Sequence, residues 1–256
     1  MKNLFDVSGK VAVVTGGSRG IGAMIARGFV ENGVRVYITA RNAEELEATA
    51  AELSRHGECV AIAADLSSLE GVRGFAESVQ AREERVDILV NNAGAAWGED
   101  IDSFPEKGWD KVMDLNVKSI FFLTQQLLPQ LRKAGSADDP ARVINIGSIN
   151  GLCNPHMNNY SYSASKAAVH HLTLHLGADL APQGVNVNAI APGFFPSKMT
   201  AHLLEHEQEL AAVLPRRRLG DAQDAAGTAI YLCSRASAWM TGQTLVLDGG
   251  MVANAG

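Results

Sequence analysis

Seven short apolar runs, each followed by a longer segment of helical period or by a turn, constrain this chain more than any other property: Lys10–Thr15, Val34–Thr39, Cys59–Ala64, Val86–Asn91, Arg142–Ile146, Val185–Ile190 and Thr244–Leu247. Runs this short, bounded by turn residues and rich in Val and Ile, read as strands. Their near-continuous hydrophobicity means that both faces are covered, as happens when helices flank a parallel sheet. The pattern therefore predicts an α/β, doubly wound fold with a seven-stranded parallel sheet. Gly108–Lys133 and Ser161–Ala181 read as the longest helices, the second stopped around Pro182 and Gly184. Residues 194–215 break the strand-helix rhythm with an apolar, helix-prone insertion, a candidate helical lid.

Composition removes several alternatives. The 256 residues are 46% hydrophobic and carry 28 acidic against 22 basic side chains, for a net charge of -6. No fibrous or disordered class fits that balance, and a chain of this length with one sheet is expected to form a single domain over residues 1–256. The acidic excess argues against an extended nucleic-acid surface. Cys59, Cys153 and Cys233 form neither a CxxC pair nor a disulfide framework. The opening stretch MKNLFDVSGK has no apolar signal region, and no run approaches a membrane span. A cytoplasmic protein with no membrane partner is expected.

Directly after the first strand comes Thr15-Gly16-Gly17-Ser18-Arg19-Gly20-Ile21-Gly22, which opens into a helix with an apolar stripe of Ile21, Met24, Ile25, Gly28 and Phe29. A strand-to-helix turn leaves backbone N–H groups unpaired and aims the positive end of the helix dipole at one point, where a pyrophosphate can sit. Gly16 is expected to take the tight turn, Gly20 to let the backbone approach the phosphates, and Gly22 to let helix and strand pack closely. The second strand ends Ile38-Thr39-Ala40-Arg41-Asn42. Arg41 thus stands where a carboxylate would hold a free ribose 2′-OH, and Arg19 reaches the same point, so the pair predicts NADP (NADPH) over NADH. The alternative reading of Arg41 is a solvated loop residue, since Glu44 and Glu45 follow it.

Further along stand Asn91-Asn92-Ala93-Gly94, Asn116, Ser148 after a strand, Tyr162-Ser-Ala-Ser-Lys166, and Pro192-Gly193. Together and in this order they resemble the short-chain dehydrogenase/reductase family, with a Rossmann-type fold, over nearly the whole chain. The resemblance implies an oxidoreductase acting between alcohol and carbonyl, with Asn116, Ser148, Tyr162 and Lys166 as the catalytic set. It implies cofactor contacts from Gly16, Ser18, Arg19, Gly20, Ile21, Gly22, Arg41, Asp65, Leu66, Asn92, Ala93, Gly94, Tyr162, Lys166, Pro192, Gly193 and Ser197. Asp65 is expected beside the adenine, though it reads equally well as a helix N-cap, and Asn91 and Asn92 read equally well as turn formers. The resemblance also implies that Asn116 holds a water joining Lys166 to solvent, and that the chain forms a homotetramer.

The chemistry has its own logic. Carbonyl reduction requires a proton for the oxygen as negative charge develops there. A phenol with a reference pKa of about 10 needs help to exchange that proton at neutral pH. Lys166 lies four residues after Tyr162, with side-chain bases about 5 to 6 Å apart, and its charge is expected to favour tyrosinate. An exposed pair would supply only about 0.3 to 0.5 kcal/mol, so the pair must be shielded in a cleft. Tyr160 finds Ala164 at the same spacing and has no such partner.

The pairs His171/His175 and His202/His206 share helix faces but lack a third ligand, and no metal is expected. Leu203, Leu204, Leu210, Val213 and Leu214 of the lid, with Trp97, Leu152, Cys153 and Met157, are candidate apolar walls for a substrate, or else ordinary packing. INIGSINGL, IAPGFFPSKMT and TGQTLVLDGG are most similar to bacterial NADPH-dependent 3-oxoacyl reductases of the rhamnolipid-synthesis type, which implies a 3-oxoacyl thioester substrate and fatty acid metabolism. One departure stands against a carrier-protein partner: Ala167–Ser197 contains no Lys or Arg to steer an acidic carrier, leaving Arg216, Arg217 and Arg218 as the nearby cations. A coenzyme A thioester, a polyol, a sugar acid or a small ketone are the alternatives, as is a dinucleotide sensor without catalysis.

Overall fold

A computed structural model describes residues 3–154, 157–196 and 207–254. Seven strands form one sheet: β1 (Val11–Thr15), β2 (Arg35–Thr39), β3 (Cys59–Ala61), β4 (Ile88–Asn91), β5 (Ala141–Ile146), β6 (Val185–Pro192) and β7 (Thr244–Leu247). Their order is β3-β2-β1-β4-β5-β6-β7, and every neighbouring pair is parallel. The expected strand positions hold within a few residues. β3 is the shortest, yet Ile62 N–H and Ala64 N–H still bond to the carbonyls of Ile38 and Ala40 beyond its end.

Eight α-helices complete the described chain: α1 (Gly20–Glu31), α2 (Ala43–Leu53), α3 (Leu69–Gln80), α4 (Glu106–Met113), α5 (Ser119–Ala134), α6 (Tyr160–Leu180), α7 (Glu207–Val213) and α8 (Ala222–Cys233). Alternate strand residues feed two cores. Val14, Ile38 and Ile88 point to one face and pack with Ile25 and Phe29 of α1, Leu46 of α2 and Leu232 of α8. Val13, Leu89 and Val143 point to the other and pack with Phe75 of α3 and Leu123, Leu127 and Leu131 of α5. Both faces being covered is why the strands carry little polar alternation.

The stretch predicted as one helix from Gly108 to Lys133 is two, joined by a π-helical segment, Asp114–Lys118. A π turn widens the helix by one residue and re-aims its side chains, which periodicity cannot register. The residue so placed is Asn116, completely buried. Of the candidate lid, residues 197–206 lie outside the described residues; Phe195 is buried in the core, and α7 ends just before Leu214, also buried.

Asn91 is the last residue of β4, not a turn former. Its Nδ2 donates to Asn145 Oδ1 on β5 at 2.9 Å and Thr124 Oγ1 on α5 at 3.2 Å, and Asn145 Nδ2 donates to Thr173 Oγ1 on α6 at 2.9 Å. This polar ladder ties the central strands to the two long helices beneath the strand ends. Asn91→Ala strands the Asn145 carbonyl in the core, so it is expected to lower unfolding free energy by about 1 to 3 kcal/mol in chemical denaturation at fixed protein concentration.

Candidate active site

In an open α/β sheet, loops leave the carboxyl ends of the strands in opposite directions where the strand order reverses, and a crevice opens there. Here that point lies between β1, whose chain turns toward β2, and β4, whose chain turns toward β5. A cleft of about 550 Å³ runs from the end of β2 across the β1 and β4 turns to α6.

The glycine-rich turn takes the predicted shape. Gly16 and Gly20 have φ of +64° and +55°, a region that disfavours side chains, and a Cβ on Gly22 would lie 2.3 Å from the Gly16 carbonyl oxygen. The first turn of α1 has no acidic residue, and Arg19 at its cap makes no side-chain cap bond, so the N–H groups there face the cleft without a side-chain acceptor. Thr15 fastens this turn to the next: its Oγ1 accepts from the N–H groups of Asn92 and Ala93, both at 2.9 Å. The Asn92 carboxamide returns the link, donating to the carbonyls of Thr15 at 2.8 Å and Gly16 at 3.1 Å. Asn92 thus braces the turn, and Thr15, which the sequence did not single out, is the hub. An anion-accepting helix start, a close glycine approach and a long cleft fit a dinucleotide.

Gly16, Ser18, Arg19, Gly20, Ile21, Arg41, Asp65, Leu66, Asn92, Ala93, Gly94, Ser148, Tyr162, Lys166, Pro192 and Gly193 all line the cleft. Gly22 lies behind the turn as a packing position, Asn116 behind the loop after β4, and Ser197 outside the described residues. Asp65 is not a helix cap; Ser68 caps α3 by accepting from Gly71 N–H, while Asp65 Oδ1 accepts from Ser67 N–H. That bond and the nearby Arg41 guanidinium hold the Asp65 carboxyl below its usual range.

At the far end, three side chains converge. Ser148 follows β5; its Oγ accepts from Asn150 N–H at 3.2 Å, and it lines the cleft with Tyr162. Lys166 is buried and donates from Nζ to the carbonyl of Ile146 at 2.7 Å, with Nζ 5.5 Å from the centre of the Tyr162 ring. Burial raises the Tyr162 phenol, opposed by the Ser148 hydroxyl, and pulls the Lys166 ammonium down to about 8. The expected lowering of Tyr162 by Lys166 is therefore outweighed by desolvation, because both groups leave water together. The Asn116 carboxamide ties the loop after β4 to α6. Its Nδ2 donates to the Ala95 carbonyl and to Ser165 Oγ, both at 2.9 Å, and its Oδ1 accepts from Ala95 N–H, so both amide protons are engaged. Ser165 in turn donates to the Tyr162 carbonyl at 2.7 Å.

His170, next to His171 in the sequence, lies one further turn along α6 from Lys166. Its Nε2 accepts from Ser148 N–H at 3.4 Å, and a Cβ on Gly147 would lie 2.1 Å from that nitrogen. Burial and the Lys166 charge hold His170 below the ordinary histidine range, which keeps Nε2 an acceptor. The i, i+4, i+8 series Tyr162, Lys166, His170 was the available signal. His175 pairs with Asp179 at 3.4 Å, His202 and His206 lie outside the described residues, and no group of three potential metal ligands occurs among the described ones. Of the expected apolar walls, Leu203 and Leu204 lie outside the described residues, Trp97 packs against Gly108, and Leu152 and Met157 are exposed; Ala96, Leu115, Ile146 and Phe195 line the cleft.

The family model for short chain dehydrogenase matches residues 10–208. Over 98% of its length the chain is 49% identical to a rhamnolipids biosynthesis 3-oxoacyl-[acyl-carrier-protein] reductase of Pseudomonas aeruginosa, covering 99% of that protein. It is 38% identical to a 2-dehydro-3-deoxy-D-gluconate 5-dehydrogenase of Dickeya dadantii, over 98% of each chain. The Pseudomonas aeruginosa RhlG/NADP active-site complex superposes with a TM-score of 0.94 at 49% identity, over 98% of this chain and 99% of that one.

The Lys166 shift has a measurable consequence. Between about 8 and the ordinary 10.5 the unfolded chain keeps a proton that the folded lysine has released, so this group adds stability as pH rises through that window and subtracts it below. Relative to Lys166→Met, the wild-type protein is expected to gain on the order of 1 to 2 kcal/mol of unfolding free energy between about pH 7 and about pH 10, read by urea denaturation of both proteins.

Proposed function

This chain belongs to the short-chain dehydrogenase/reductase family, oxidoreductases acting between alcohol and carbonyl, and from that premise we propose that it uses NADPH to reduce a 3-oxoacyl thioester to the 3-hydroxyacyl thioester. The convergence of Ser148, Tyr162 and Lys166 at one end of a dinucleotide-sized cleft carries the reading. Two guanidinium groups, Arg19 and Arg41, at the opposite end support a 2′-phosphate. Near-full-length identity of 49% to a 3-oxoacyl reductase supports the substrate class over the sugar acid of the 38% relative.

When bound along this cleft, a reduced nicotinamide would provide the hydride for the carbonyl carbon. The protein's part is the proton. Burial keeps the Tyr162 phenol protonated at neutral pH, so it is a donor poised for the reductive direction. As charge grows on the substrate oxygen, the Ser148 hydroxyl donates a hydrogen bond to it and the Tyr162 proton crosses. The tyrosinate left behind is stabilised by the Lys166 ammonium, fixed by its bond to Ile146. Asn116 positions Ser165 and through it the Tyr162 backbone; His170 positions the Ser148 backbone.

The carrier follows from charge. Arg218 is committed to Asp224, at 2.5 and 2.9 Å, and with Asp221 to the start of α8. Arg216 and Arg217 are exposed beside it. That leaves little steering charge for an acidic carrier protein and supports a coenzyme A thioester as well as a carrier-bound one. We place the protein in the cytoplasm, where Cys59 and Cys233, whose thiols burial pushes up to about 12, stay reduced. A homotetramer is supported by exposed apolar side chains at Trp109, Phe121, Leu174, Trp239 and Val246.

NADPH consumption with a 3-oxoacyl thioester is expected to exceed that with 2-dehydro sugar acids. Tyr162→Phe is expected to cut turnover by about 100-fold or more while retaining NADPH binding. Turnover of sugar acids alone, or binding without turnover of any carbonyl, defeats the proposal.

A further inference from the structure

We infer that Glu45 sets how far the cleft discriminates between dinucleotides, by competing with the adenosine 2′-phosphate for the Arg19 guanidinium. The inference deepens the NADPH reading and rests on it. Arg19 Nη1 meets both carboxylate oxygens of Glu45, at 3.0 and 3.3 Å, and both residues line the cleft at the end away from Tyr162. Neither is buried: their side chains are 49% and 34% exposed, so each is free to exchange its partner for one arriving from solvent.

The carboxylate is not there by chance of a mobile chain. Glu45 lies in the first turn of α2, where Asn42 caps the helix by accepting from Glu45 N–H at 3.1 Å. One turn on, Thr49 Oγ1 lies 2.9 Å from both the Ser18 and the Glu45 carbonyl oxygens and shares its one proton between them, which links α2 to the glycine-rich turn. The backbones that carry the two charges are therefore fixed against each other.

The local charge balance then decides the effect. At this end of the cleft Arg19 and Arg41 face Glu45 and Asp65, two cations against two carboxylates, with Arg41 already acting on Asp65. A 2′-phosphate brings about -1.5 to -2 charges and must take Arg19 from Glu45 or share it. A ribose 2′-OH brings none and leaves the pair intact. Glu45 therefore weakens NADP binding selectively, although it lies beside the arginines that favour it, and it holds the discrimination below what Arg19 and Arg41 alone would give.

Isothermal titration of the full-length protein with NADP⁺ and NAD⁺ tests this in wild type and Glu45→Gln, whose amide keeps the size but removes the charge. Glu45→Gln is expected to tighten NADP⁺ binding about three- to tenfold at low ionic strength, with the gain shrinking at high salt, and to leave NAD⁺ within about twofold. Unchanged or weaker NADP⁺ binding in Glu45→Gln, or equal tightening of both dinucleotides, overturns the inference. Failure of the NADPH reading looks different: wild-type protein would bind NAD⁺ as well as or better than NADP⁺, whatever the substitution does.

Discussion

The whole site hangs on one junction, the hydroxyl of Thr15 at the end of β1 accepting from the first two N–H groups after β4. β1 and β4 are neighbours in the sheet, but their chains leave in opposite directions, so their loops would otherwise part. Thr15 and the Asn92 carboxamide hold the two loops at fixed separation while the crevice opens beyond them. Gly22 can only be glycine under that arrangement, because the helix start is pressed against the Gly16 carbonyl. The glycine-rich turn and the loop after β4 are thus tied into one unit that borders the cleft.

Electrostatics at the far end runs against the simplest expectation. An ammonium near a phenol was expected to lower the phenol, yet burial acts on both members, raising Tyr162 and lowering Lys166. The two values, nearly equal in water, are driven apart, which keeps the proton on Tyr162 and leaves tyrosinate less populated. The desolvation of Lys166 is a standing cost to the fold, offset by its bond to the Ile146 carbonyl. Stability is traded here for a preorganised proton donor.

The opposite end of the cleft is governed by solvent-exposed charge, where interactions are weak and exchangeable. Proton transfer and cofactor preference therefore have different physical bases in the same molecule. The proton chemistry depends on groups that cannot move without unfolding their surroundings, whereas dinucleotide choice depends on side chains that can swap partners.

Strand positions, the glycine-rich turn and the Tyr162, Lys166 and Ser148 set were legible in the sequence, because each depends on local rules: apolar runs make strands, a strand-to-helix turn needs glycines, and i, i+4 residues share a helix face. The π segment that places Asn116 was not, since it is a register change driven by packing against Ala95 and Ser165 and not by the period of its own residues. Nor was His170, whose partner Ser148 is far along the chain. Which apolar side chains line the cleft was not legible either, as hydrophobicity says that a side chain is to be covered but not by what. The sequence by itself determined the fold, the glycine-rich turn and the spacing of Tyr162 and Lys166; only the tertiary structure decided which charges are stripped of water and which remain in it, because desolvation is a property of what surrounds a residue and not of the residue.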